Sequence, residues 1–156
     1  MTKITLDNAS QAFKEKFRKS GETCELASQY IPGGYSRNSL TFGPHAIYVE
    51  RGEGQYIYTV EGECLLDFHN NFSCSITGHN HPRIREAMLE LTPKGFSFGN
   101  PMAHEHRLAK ILCERIEAVE KVIFSCSASE SCLSAIRIAR ATTGKNKIAK
   151  FEGGYH

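Results

Sequence analysis

The chain has 156 residues, a formal charge of +2 and 40% apolar residues, the make-up of one soluble globular domain with its own core. The near-even charge leaves no basic footprint, so neither nucleic acid nor an anionic membrane is an expected partner. No run reaches membrane-spanning length and MTKITLDNAS is no secretory leader; six cysteines at 24, 64, 74, 113, 126 and 132, with no CxxC, read as reduced thiols of a cytoplasmic protein.

Asn8 or Ser10 is placed to cap a first helix through SQAFKEKFRKSGETCELASQY, with Gly21 as its weak point. Pro32 and the two glycines of IPGGYSR end it in a loop. Three short alternating runs around Tyr48, Ile57 and Leu65 predict an antiparallel meander, with turns at Gly52-Glu53-Gly54 and Glu61-Gly62. HNNFSCSITGHNHP is irregular, and Pro82 opens a helix that runs to Leu91. After the loop TPKGFSFGNP, the spacing of Leu108, Ile111, Leu112 and Ile116 predicts a helix from Ala103 to Ala118. A strand over Lys121 to Ser125, a helix carrying Leu133 and Ile136 up to a C′ glycine at Gly144, and a strand over Lys147 to Phe151 complete the order.

Strand, helix, strand implies a parallel pair joined by a right-handed crossover. Two parallel strands make no sheet that helices can cover on both faces. The expected fold is therefore α/β and part of a larger domain. Residues 1–75 form a helix and an antiparallel meander, and residues 76–156 open a large parallel-sheet domain.

Chemistry gathers where the strand-like run KVIFS meets a helix through Cys126-Ser127-Ala128-Ser129. The first N–H groups of such a helix point outward unpaired, and small side chains let an anion, phosphate above all, reach them. A plain serine N-cap with Glu130 in the first turn explains the same residues, and both readings stand at this point. GxxxxGK[ST] is absent, and the glycines of RGEGQY lie between strands rather than before a helix, so neither nucleotide motif is present. His79-Asn80-His81 and His104-Glu105-His106 each place two imidazoles close together, but i,i+2 on a helix sends His104 and His106 to different faces, and neither HExxH nor a zinc-spaced cysteine pair is present, so no metal is expected.

From about residue 30 to the end, the chain resembles the class III, fold-type I aminotransferases that use pyridoxal 5'-phosphate, in the branch near glutamate-1-semialdehyde aminomutase. The matching pieces, in order, are IPGG, YVERGEGQYIYTVEG with LLDF, GHNHP, SFGNP, VIFS, SASES, SAIRIARATTG and KIAKFEGGYH. The resemblance implies the N-terminal part of a longer, homodimeric enzyme that transfers amino groups between small amino acids and oxo acids. Aminomutase, racemase and a non-catalytic truncated interaction module stay open beside that activity. It further implies that Ser127, Ala128 and Ser129 hold the cofactor phosphate, that Tyr155 stacks on the pyridine ring, and that His156 follows it in the cofactor site. Arg37 becomes a clamp for the substrate carboxylate, and Phe72 stands where the aminomutase has a tryptophan beside the substrate. Ser97, Phe98 and Asn100 fall in the loop that reaches toward a dimer-shared site.

Three departures accompany the match. Ala128 replaces the family's glycine, Cys126 replaces a polar amide, and Leu40 occupies the position of the aminomutase's own loop arginine. None of the ten lysines stands in the context of the lysine that binds the cofactor as a Schiff base, so no catalytic residue is assigned and the 156 residues alone are expected to be inactive.

Overall fold

The computed structural model describes residues 5–40 and 43–154. Helix α1 spans Leu6–Lys16 and is capped by Thr5, whose hydroxyl accepts the Asn8 N–H at 3.3 Å. The cap thus lies before Asn8 and Ser10, because extended Thr5 already satisfies a first-turn donor and Asp7 follows at the positive end of the helix.

The expected single helix is two. Phe17, at φ −108° and ψ 45°, breaks the chain before α2 (Arg18–Ser28). Gly21 lies inside α2, where a Cβ would come within 3.1 Å of the His45 ring, so it serves close approach rather than a bend. The break turns Phe17 inward onto Phe13, ring centroids 4.9 Å apart, and frees the first N–H groups of α2. Glu61 takes one of them: Oε1 accepts the Ser20 N–H at 2.6 Å and Oε2 accepts its hydroxyl at 3.1 Å. Fully buried Ser20 also accepts the Tyr48 N–H at 3.0 Å, tying α2 to the meander. Beyond α2, Gly34 at φ 83° packs so closely that a Cβ would sit 2.8 Å from the Cys24 carbonyl.

The meander forms as predicted, with β1 (Val49–Glu53), β2 (Tyr56–Thr59) and β3 (Cys64–Leu66) antiparallel in that order. Val49 faces Thr59, Glu53 faces Tyr56, and a bulge falls between Val49 and Arg51; Tyr56 then faces Leu66. Gly52 and Glu53 belong to β1, not to a turn. Gly52 is there because the His79 ring lies against it: an added Cβ would meet His79 Cγ at 2.6 Å.

Pro82 opens α3 (Pro82–Leu91), as its missing N–H favours. Helix α4 (Ala103–Arg115) stops short of Ala118, since Ile116 turns extended at φ −119° and ψ 101°. Helix α5 (Ala128–Thr143) ends on Gly144 in the left-handed region, whose N–H reaches Arg140 O. The two expected parallel strands, 121–125 and 147–151, are absent among the described residues. A strand exists only through ladder partners, and no described residue supplies one to either segment.

The chain divides into two compact units, Met1–Phe96 and Ser97–His156. Among the described residues only Phe17, Ser20, Gly34, Ala46 and Thr59 are buried, all in the first unit. In the second, the apolar side chains Leu108, Ile111, Leu133 and Ile138 stay about half exposed or more, so the faces that the sequence pattern marks as core are open.

Candidate functional site

The small-residue loop builds a helix start with spare donors. Ser127, extended at φ −154° and ψ 159°, caps α5, and its hydroxyl accepts the Glu130 N–H at 3.2 Å. Glu130 folds back so that Oε2 accepts the Cys126 N–H at 2.9 Å, and the hydroxyls of Ser125 and Ser131 bond to each other. The serine cap is therefore real, yet it leaves donors over. No described group accepts from the N–H of Ala128 or Ser129, the first two positions of a 16-residue helix. Those donors and the helix dipole offer an anion two aligned partners. Ala128 has helical rather than positive φ, so alanine in place of glycine carries no left-handed penalty, and its methyl is still small. The residues present fit a phosphate group. Tyr155 and His156 lie outside the described residues.

In the first unit the structure brings Arg37 and Phe72 together. Arg37 Nη1 donates to Asn71 Oδ1 at 2.8 Å, and its guanidinium lies 5.6 Å from the centroid of the Phe72 ring. A second neighbour of that ring is His69, edge-on at 4.1 Å between centroids. Asn71 is the only described residue that accepts from the guanidinium, so further donors of its fork remain for a carboxylate. Arg37 is exposed and Phe72 half exposed, which leaves both open to a small molecule.

Sequence reasoning missed what stands beneath this pair. Asp67, just after β3, has a side chain only 10% exposed. Its Oδ1 accepts the N–H of His69 at 3.0 Å and of Asn70 at 2.9 Å, while Oδ2 lies 2.7 Å from His79 Nε2. An aspartate before His-Asn-Asn is an Asx-turn signal that would have found the first two bonds. His79 is pinned in turn by two backbone bonds to Gly54. The paired histidines thus have separate surroundings: His79 meets Asp67, and His81 Nδ1 is buried with no described partner.

The Asn70 N–H, then the His79 ring, hold the Asp67 carboxyl below its usual range against the opposing effect of burial. Burial pushes Glu61 up, but the Ser20 N–H and hydroxyl outweigh it and hold that carboxyl low as well. Lowered folded values mean that both groups add stability above the ordinary carboxylate range of about 4, and that this stability is lost as pH falls through the folded values. Amide protection in peptides from the first unit, taken relative to the intrinsic exchange rate at each pH, should fall as the pH drops below about 4. Asp67→Asn and Glu61→Gln should each flatten that dependence, and an unchanged profile in both variants would refute the assignment.

A family model described as Aminotransferase class-III matches residues 38–156. Among curated proteins, the glutamate-1-semialdehyde 2,1-aminomutase of Methanopyrus kandleri is 42% identical over 144 residues, covering 92% of this chain and 34% of the relative. The chain spans about a third of the length of the curated relatives it matches. Among solved structures, a β-phenylalanine aminotransferase from Variovorax paradoxus superposes with a TM-score of 0.92 at 33% identity, over 97% of this chain and 35% of that one. A transaminase with pyridoxal phosphate bound superposes at 0.86 with 38% identity, over 90% and 33%. The described helices and three-stranded antiparallel sheet accord with the N-terminal part of that fold.

Proposed function

The chain belongs to the class-III aminotransferases, a family dependent on pyridoxal phosphate, and from that premise we propose that the complete protein moves an amino group between an amino acid and an oxo acid. The observation that carries the reading is the start of α5, where two N–H groups with no acceptor among the described residues stand among small side chains. When bound, pyridoxal phosphate supplies the electron sink of the reaction. This chain's residues do the holding: the Ala128 and Ser129 N–H groups and the Ser129 hydroxyl take the phosphate, and Ser127 keeps the helix start in place. The donors of Arg37 that have no acceptor among the described residues take the substrate carboxylate, with the Phe72 ring beside it. By family resemblance, Tyr155 stacks on the cofactor ring, His156 stands next to it, and the working unit is a homodimer.

No helix among the described residues is long and apolar enough to cross a membrane. A second reading, glutamate-1-semialdehyde aminomutase, is favoured by the 42% identity to the enzyme of that name. By the family resemblance, Leu40 stands where the aminomutases carry a loop arginine, and this favours the first. One experiment separates them. The complete protein, loaded with pyridoxal phosphate and mixed with an amino acid and no acceptor, should release the matching oxo acid in step with cofactor consumed. An amino acid that is only isomerised or epimerised, with no oxo acid released, would overturn amino-group transfer between molecules.

A further inference from the structure

Asp67 is joined to the Arg37–Phe72 pair by a short chain of contacts. Residues Asn70, Asn71, Phe72 and Ser73 have φ of 48°, 49°, 56° and 66°, four successive non-glycine residues in the left-handed region. Asparagine tolerates that region, but phenylalanine does not do so readily, so the run is strained. A turn of this kind persists only where its surroundings dictate it. Here one carboxylate does so. Asp67 Oδ1 holds the two N–H groups that enter the turn, and Oδ2 fastens it to His79. The Asp67 N–H is itself bonded to Gln55 O at 2.9 Å, and the His79 backbone to Gly54, so both ends of the brace rest on the Gly54-Gln55 turn that joins β1 to β2. The turn then aims Asn71 at Arg37, and the Phe72 ring meets both the Arg37 guanidinium and the His69 ring.

Resting on the reading of Arg37 as the carboxylate clamp, we infer that Asp67, seconded by His79, is a positioning residue for substrate recognition. It touches no substrate. It forces the left-handed turn whose Asn71 and Phe72 hold the guanidinium in one orientation. Without the brace the turn relaxes toward ordinary φ, Asn71 leaves Arg37, and the clamp samples many rotamers. Binding of a carboxylate weakens in proportion to the lost orientation, whereas a substrate with no carboxylate never used the clamp.

The test is made on the complete, cofactor-loaded protein with two donors, an amino acid and a primary amine that has no carboxylate. Asp67→Ala should raise KM for the amino acid about tenfold or more, with kcat and the constants for the amine within about threefold of the parent. In the same variant, amide exchange should quicken in peptides covering 67–80 and stay unchanged in peptides from α5. If Asp67→Ala does not fold, Asp67→Asn, which keeps the shape and one accepting oxygen, should give a smaller shift with the same bias toward the amino acid. Equal losses for both donors, or no loss for either, would overturn the positioning role. Arg37→Ala serves as the reference. If it raises KM for the amino acid and the Asp67 variants do not, only the positioning role falls; if Arg37→Ala itself leaves KM unchanged, the clamp falls and the inference with it.

Discussion

Arg37→Ala should raise KM for an amino acid donor by about 10- to 100-fold while the use of a primary amine without a carboxylate stays near the parent value. The range follows from the clamp chemistry. A hydrogen bond to a charged group contributes about 1.5–3 kcal/mol, and 1.4 kcal/mol is a factor of ten. The guanidinium is held by Asn71 through Nη1 alone among the described residues, so two parallel donors can meet both carboxylate oxygens. Such a contact exists before and during the reaction alike, so its loss appears in KM more than in kcat. Arg37→Lys should recover only part of the affinity, because an ammonium is a point charge without the planar fork. Steady-state kinetics with the two donors decide the matter. An equal decline for both, or none, would remove Arg37 from the substrate site.

Ser129→Asp should weaken binding of pyridoxal phosphate by about 100-fold or more. Ser129 is the second residue of α5, and its N–H has no described acceptor. A carboxylate there stands within a few ångström of the phosphate position, and two unit charges about 4 Å apart at a protein surface repel by roughly 4 kcal/mol. Salt and side-chain rotation reduce that figure, which is why the expected effect is smaller than the full conversion. The substitution is a gentle one for the fold, since an acidic side chain in the first turn favours a helix through its dipole. Loss of cofactor with unchanged melting would therefore report the phosphate and not unfolding. Ser129→Ala, which removes only a hydroxyl, should cost a few-fold at most. Equilibrium dialysis against the cofactor measures all three proteins, and equal affinities would sink the phosphate assignment.

Much of this was readable in the chain itself, and the reasons differ by element. The meander was, because Tyr48, Ile57 and Leu65 head alternating runs and Gly62, at φ 90°, supplies the turn between β2 and β3. The start of α3 and the end of α5 were, because Pro82 and Gly144 act through local backbone geometry alone. Phe17 was not. Its break depends on burial against Phe13 and on a carboxylate at Glu61, 41 positions beyond Ser20, and no local pattern carries that. Gly21 and Gly52 were read as a weak point and a turn, whereas each makes room for a distant histidine.

The candidate site divides in the same way. The start of α5 could be read from Ser127 to Glu130, since cap and spare donors are local consequences of small residues before a helix. Whether those donors serve an anion was not local; the resemblance to the class III aminotransferases supplied the reason to expect phosphate, and the family match over residues 38–156 supports that family. Arg37 and Phe72 were proposed separately, and only the tertiary fold sets them side by side. Asp67 escaped notice because its role lies in three bonds, two of them local and one to a histidine twelve residues away. The left-handed run that it supports has no sequence mark beyond two asparagines.

The most direct test is a crystal structure of the complete protein grown with pyridoxal phosphate. Phosphate oxygens should lie within about 3.2 Å of the N–H groups of both Ala128 and Ser129, a normal hydrogen-bond distance, with Ser127 still capping α5. A phosphate bound elsewhere, with those two N–H groups facing water or a protein carbonyl, would contradict the account.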